Sequence, residues 1–136
     1  MHSRIRLALI LAPLLALSAC KKDSAVQESI DLLGKHSKEI TTKVTGAADK
    51  TAGVADAQKY LDSNKDDLSK RMKEISELRG FQVSEDMQTK MSSALVDAAF
   101  MCGKIQVDLM TETMADPALD GALGKLCKDW EAAMNL

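Results

Sequence analysis

The sequence predicts an all-α fold, an antiparallel helical bundle of four helices closed by one disulfide. Three observations predict it. Strong helix formers dominate, and after Pro13 only Pro117 interrupts them as proline. Four stretches repeat apolar residues at three- and four-residue intervals, the mark of a helix that buries one stripe. Two cysteines, Cys102 and Cys127, fall at facing heights on the last two stretches.

The first stretch carries Val26, Ile30, Leu33, Ile40 and Val44, with Ser37 at the gap and His36 beside the stripe. Its β-branched end, Ile40-Thr41-Thr42-Lys43-Val44-Thr45, runs into Gly46, a stop signal. The second runs from about Asp49 to Arg79, with Val54, Tyr60, Leu61, Leu68, Met72, Ile75 and Leu78 inward. Asp66 with Lys70, Asp67 with Arg71 and Lys70 with Glu74 are spaced for ion pairs on its outer face. Ser63-Asn64-Lys65-Asp66 resembles a start signal that could divide this segment in two. Gly80 suits a left-handed position after the helix, which would let Phe81 fold back on Ile75.

Ser84 is an N-cap for the third helix, with Glu85 and Asp86 in the positive first turn. That helix is expected to reach about Ala115, with Met87, Met91, Ala94, Leu95, Ala98, Met101, Cys102, Ile105 and Leu109 on its inner side. Asp116-Pro117 then provides the cap and first turn of a fourth helix. Leu119, Leu123, Leu126, Trp130 and Met134 form its stripe. Four helices with one stripe each and short connections bury them best as a bundle.

The N-terminus has a different logic. Arg4 and Arg6 are the only charges before an uncharged run from Leu7 to Leu17. That run is shorter than the roughly 20 residues of a membrane span and contains Pro13, so it reads as a cleaved signal peptide. It ends in Leu17-Ser18-Ala19-Cys20, which resembles the lipobox of bacterial lipoproteins. The resemblance covers these four residues and the segment before them. It implies removal of residues 1–19, with diacylglycerol and an N-acyl chain on Cys20. It also implies a lipidated tether over 20–24, a helical domain over 25–136, and a lipid bilayer as first partner. Lys21 rather than Asp after the cysteine implies the outer membrane, periplasmic side, with the inner membrane or cell surface as the other destinations. Two or more acyl chains anchor stably where one does not.

With Cys20 committed to lipid, Cys102 and Cys127 remain as an even pair in an oxidising compartment. If the chain turns near Asp116, their heights differ by roughly 4.5 Å at about 1.5 Å per residue. Both lie on or beside an inner stripe. A structural disulfide is the expectation, since a redox-active pair more often takes the C-x-x-C form.

Composition and motifs bound the chemistry. Without residues 1–19 the chain keeps 117 residues, with 16 basic and 20 acidic side chains, a balance that gives nucleic-acid binding no support. The acidic excess lies in residues 81–136. The pattern contains no H-E-x-x-H, C-x-x-C-H, G-x-S-x-G or glycine-rich phosphate loop. His36, alone in the mature chain, reads as a helix-surface residue, and no cofactor is expected beyond the lipid. Met87 with Met91 and Met110 with Met114 are four apart; clustered thioethers can bind Cu(I), fill core gaps or line an adaptable groove.

These features imply a non-enzymatic, membrane-anchored periplasmic lipoprotein that binds an envelope protein as an assembly or chaperone factor. In size and architecture it is similar to pilotins, the lipoproteins that escort secretin subunits, although no pilotin motif is matched by residue. Two other readings stay open: a periplasmic inhibitor or immunity protein, and a methionine-based copper or other ligand-binding protein.

Overall fold

The computed structural model describes residues 16–134, apart from the side chains of residues 16–21 and of Phe81. The expected signal segment before Ala16, the Cys20 side chain and the expected contact of Phe81 with Ile75 lie outside what is described. Among the described residues there are five α-helices and one 3-10 turn: α1 (Ala16–Gly46), α2 (Lys50–Ser76), the 3-10 turn (Gly80–Gln82), α3 (Glu85–Asp108), α4 (Met110–Ala115) and α5 (Pro117–Met134). The all-α class is as the sequence predicts. Among the described residues no helix is long and apolar enough to cross a membrane.

α1 buries Val26, Ser29, Leu33, His36, Ile40 and Val44 along one face. The stripe gap is filled by His36, so the expectation of a surface histidine is corrected. Ser37 is only half-buried. The imidazole is tolerated because Nδ1 lies 2.7 Å from the Tyr60 hydroxyl on α2, which satisfies a polar atom that would otherwise be stranded in the core. Residues 20–24, read as a tether, continue the helical backbone of α1.

α2 is one helix. Asp49 caps it, its carboxylate accepting from Ala52 N. The suspected second start at residues 63–66 does not divide it, because the polar groups there bond back into the turn they follow. Ser63 Oγ donates to Lys59 O, and Asn64 Nδ2 donates to Tyr60 O. The helix ends at Ser76, three residues before the expected Arg79, and Gly80 opens the 3-10 turn without a left-handed φ. Gly53 has a different duty. A Cβ there would come within 2.5 Å of Lys43 O and 2.6 Å of Ala47 Cβ, so glycine lets α2 start against the end of α1. The expected pairs among residues 66–74 do not form among the described residues; the ion pairs on this helix are Asp56 with Lys59 and Asp62 with Lys65.

Ser84 caps α3 as expected, accepting from Met87 N. Its own N–H donates to Asp23 Oδ1 at 2.9 Å, which sets the start of α3 beside the start of α1. The third helix breaks at Leu109 instead of running on to Ala115. Backbone bonds from Leu109 N to Ile105 O and from Thr113 N to Leu109 O cross the break, so it is a kink and not a loop. Thr113 Oγ1 donates to the Leu109 and Met110 carbonyls, and such back-bonding bends helices. Asp116 then caps α5, accepting from Ala118 N and Leu119 N, with Pro117 in the first turn.

α1 packs along α2 and along α3, and α2 packs along α5. The order around the bundle is therefore α3, α1, α2, α5, with α2 and α3 on a diagonal. The α1/α2 and α3/α5 hairpins are antiparallel, while α3 runs parallel to the α1 it packs on. Trp130, Leu33, Ile40, Leu61, Leu68, Ile105, Leu123 and Leu126 fill the centre.

Candidate functional site

The edge between α3 and α5 is where neighbouring helices approach over the shortest stretch, and two specific links close it. Cys102 and Cys127 form a disulfide with Cα atoms 5.6 Å apart, 25 residues apart in sequence. One turn away, the indole of Trp130 donates to Ala98 O at 3.0 Å. Both cysteines are buried, so the bond is a structural brace with no route for an attacking thiol.

The adjoining edge, between α2 and α5, is held by polar links. Asp129 accepts from Gln58 Nε2 at 2.8 Å and from Lys125 Nζ at 2.6 Å. The Lys125 ammonium holds the Asp129 carboxyl below the usual carboxylate range, and its own pKa rises in return. Ser69 Oγ donates to Ala133 O near the end of α5. Asp129 and Ser69 are partnered here while Gln58 uses only its Nε2, its Oε1 being buried without a partner; the links stabilise the bundle wall and bring no base to a nucleophile.

His36, buried on α1, and Tyr60, half-buried on α2, form a polar pair between the two helices. Burial lowers the His36 pKa, helped by the nearby Lys35 charge, and burial raises that of Tyr60. Both are therefore neutral at pH 7 and share one hydrogen bond whose direction follows the imidazole tautomer. Lys43 Nζ stands 5.7 Å from the Tyr60 ring centroid, within cation–π range.

Among the described residues no three His, Cys, Asp or Glu side chains are grouped to hold a metal ion. The methionine pairs separate in role. Met87 and Met91 are buried in the core, while Met110 and Met114 are exposed on α4. Two open clefts lie at the end of the bundle where α1 starts. One, of about 390 Å³, is lined by Lys22, Val26, Ser29, Arg71, Glu74 and Glu77; the other, of about 320 Å³, has Val26, Ile75, Leu78, Val83 and Met91 among its walls. Arg71 thus turns partly into a cleft, whereas its neighbour Lys70 is fully on the solvated face.

The most distinctive surface lies on the outer side of α3 and α4. Val96 is 53% exposed, Phe100 64%, Val107 71%, Met110 57% and Met114 80%. With Gly103 these positions are spaced four, three, four, three and four, which is the a/d pattern of a coiled-coil seam. At 1.5 Å per residue the stripe is about 27 Å long as measured along the two helices through the Leu109 kink. α3 therefore has two apolar faces, one turned to α1 and the core and the other to solvent. The sequence carries this second spacing openly, but the inner stripe on the same helix masks it: reading one periodicity per helix leaves Val96, Phe100 and Val107 unassigned.

Fold and surface together define a disulfide-braced helical bundle with one unpartnered heptad face. No known protein family, no curated protein and no solved structure matches the chain.

Proposed function

We propose that the chain is a non-enzymatic lipoprotein of the cell envelope, anchored through acylated Cys20, which binds a protein helix along the stripe from Val96 to Met114. The observation that carries this reading is that stripe. Five large apolar side chains at heptad spacing, three on α3 and two on α4 beyond the Leu109 kink, are each more than half exposed, an apolar surface of the kind that marks an interaction site. Helix recognition by an apolar seam needs only such anchors at a/d spacing. The Cys102–Cys127 disulfide suits an oxidising compartment such as the periplasm, and the Leu17-Ser18-Ala19-Cys20 lipobox supplies the address. Asp129, Ser69 and His36 at the helix interfaces are each hydrogen-bonded into the fold, which favours a binding role over catalysis.

The test is photo-cross-linking in cells from a reactive residue placed at position 107, with position 131 on α5 as control. Protein adducts formed from 107 and not from 131 support the reading. Equal labelling from both, or none from 107, overturns it. Anchoring is tested separately: a Cys20→Ser chain that still sediments with membranes removes the lipid part of the proposal.

A further inference from the structure

We infer that the helix received by the stripe is that of a second copy of this chain, packed parallel about a two-fold axis that runs along the bundle. This rests on the reading of the stripe as a protein-binding face and names its occupant. Four observations lead to it.

The first is area. With ordinary side-chain areas of roughly 150–200 Å², the five exposed residues present on the order of 600 Å² per chain. Adding the flanking Ala99, Gly103 and Gln106 brings this near the about 800 Å² per partner of a standard interface.

The second is Gly103, in mid-helix at the centre of the stripe. Glycine weakens a helix interior relative to alanine, and a Cβ at this position would meet nothing within 4 Å. The fold of one chain does not require it. A second backbone crossing at this point does, because two facing Gly103 residues let the helices approach closely.

The third is charge. One flank of the stripe carries Asp97, Lys104 and Thr111, and the other carries Ala99, Gln106 and Thr113. A parallel pair sets the charged flank of each helix against the neutral flank of its partner. An antiparallel pair sets charged against charged and brings the two Lys104 side chains together, a repulsive contact.

The fourth is the anchor. Ser84 N on Asp23 places the start of α3 beside the start of α1, so parallel packing keeps both Cys20 ends on one side. Two chains anchored in one membrane can then stand side by side. The antiparallel form would point the anchors in opposite directions.

The experiment uses the full acylated chain in its membrane, with Val107→Cys and a short bis-maleimide. Cys102 and Cys127 are consumed in their disulfide, so position 107 supplies the reactive thiol. A parallel pair places Val107 against Val107, and most of the variant is expected to run as a covalent dimer. Glu131→Cys, off the stripe, stays monomeric. Adding Phe100→Glu, an exposed change that spares the core, lowers the dimer yield by at least about tenfold, as loss of a central anchor does. Gly103→Ala lowers the yield too, while raising the thermal midpoint of the chain measured at low concentration.

A monomeric Val107→Cys chain overturns the inference. So does a dimer that forms only when Gly103→Cys and Val107→Cys chains are mixed, the antiparallel signature. If position 107 instead couples to a different protein, the second-copy inference fails and the helix-binding reading stands. If it couples to nothing and reacts freely with maleimide, both fail.

Discussion

The indole Nε1 of Trp130 donates to the backbone carbonyl of Ala98 at 3.0 Å, joining α5 to α3 one turn from the Cys102–Cys127 bond. Trp130 is completely buried, so its ring serves as both packing volume and tie. Trp130→Ala is expected to destabilise the fold by about 3–5 kcal/mol. Trp130→Phe, which keeps most of the volume and removes the donor, should lose about 1–2 kcal/mol. Denaturant melts of the two variants separate packing from hydrogen bonding. A Trp130→Phe chain as stable as the parent would show that the Ala98 contact contributes nothing.

The disulfide closes a segment of 25 residues, and the chain-entropy relation gives it about 3 kcal/mol of stabilisation. Cys102→Ala with Cys127→Ala, or reduction under native conditions, should lower the urea midpoint accordingly. Intact mass after alkylation without reductant checks the bond directly. Two modified thiols on the native chain would rule it out.

His36 gives the protein an acid-sensitive element. Its pKa in the folded chain lies below the ordinary imidazole value of 6.5, because burial disfavours the cation and Lys35 adds like charge, against a smaller opposing effect of Asp67. The unfolded chain therefore binds the proton more readily. Stability is full above about pH 6.5 and falls as pH drops from there toward the folded-state pKa. Urea midpoints between pH 7.5 and 5 should show this loss, and His36→Gln should flatten that part of the profile. An unchanged slope in the variant would assign the acid sensitivity elsewhere.

Two glycines in α-helices should respond oppositely to alanine. At Gly103 the new methyl meets open space, so Gly103→Ala should stabilise the isolated chain by about 0.5–1 kcal/mol. At Gly53 the methyl would collide with Lys43 O and Ala47 Cβ. Backbone must move to admit it, and Gly53→Ala should destabilise by about 1–3 kcal/mol. Thermal melts at low concentration decide both signs.

Much of the fold was legible in the residues. Ser84 and Asp116 announced their helices because a capping side chain acts on N–H groups two or three residues away, a local event. Cys102 and Cys127 could be paired by height alone, since helices joined at a known turn have fixed rise. His36 reads as a surface residue in the sequence because its burial goes with Tyr60, 24 residues on, a partner that no local pattern reveals. The break at Leu109 was hidden for a similar reason: Thr113 can bond back or point outward, and the sequence reads the same in both cases. The stripe from Val96 to Met114 was written in the spacing but overlaid on the inner one, and only exposure separates two apolar faces of one helix.

The diagonal placement of α2 and α3 bears on how the molecule comes apart. α1 and α2 form a local hairpin, whereas α3 and α5 straddle it and meet each other mainly through one covalent bridge and one indole. With that bridge cut, amide hydrogen exchange should quicken together in α3, α4 and α5 while α1 and α2 keep their protection. The N-terminal pair would then behave as a persistent template on which the later helices settle, and oxidation would act as the ratchet that stops them lifting off again.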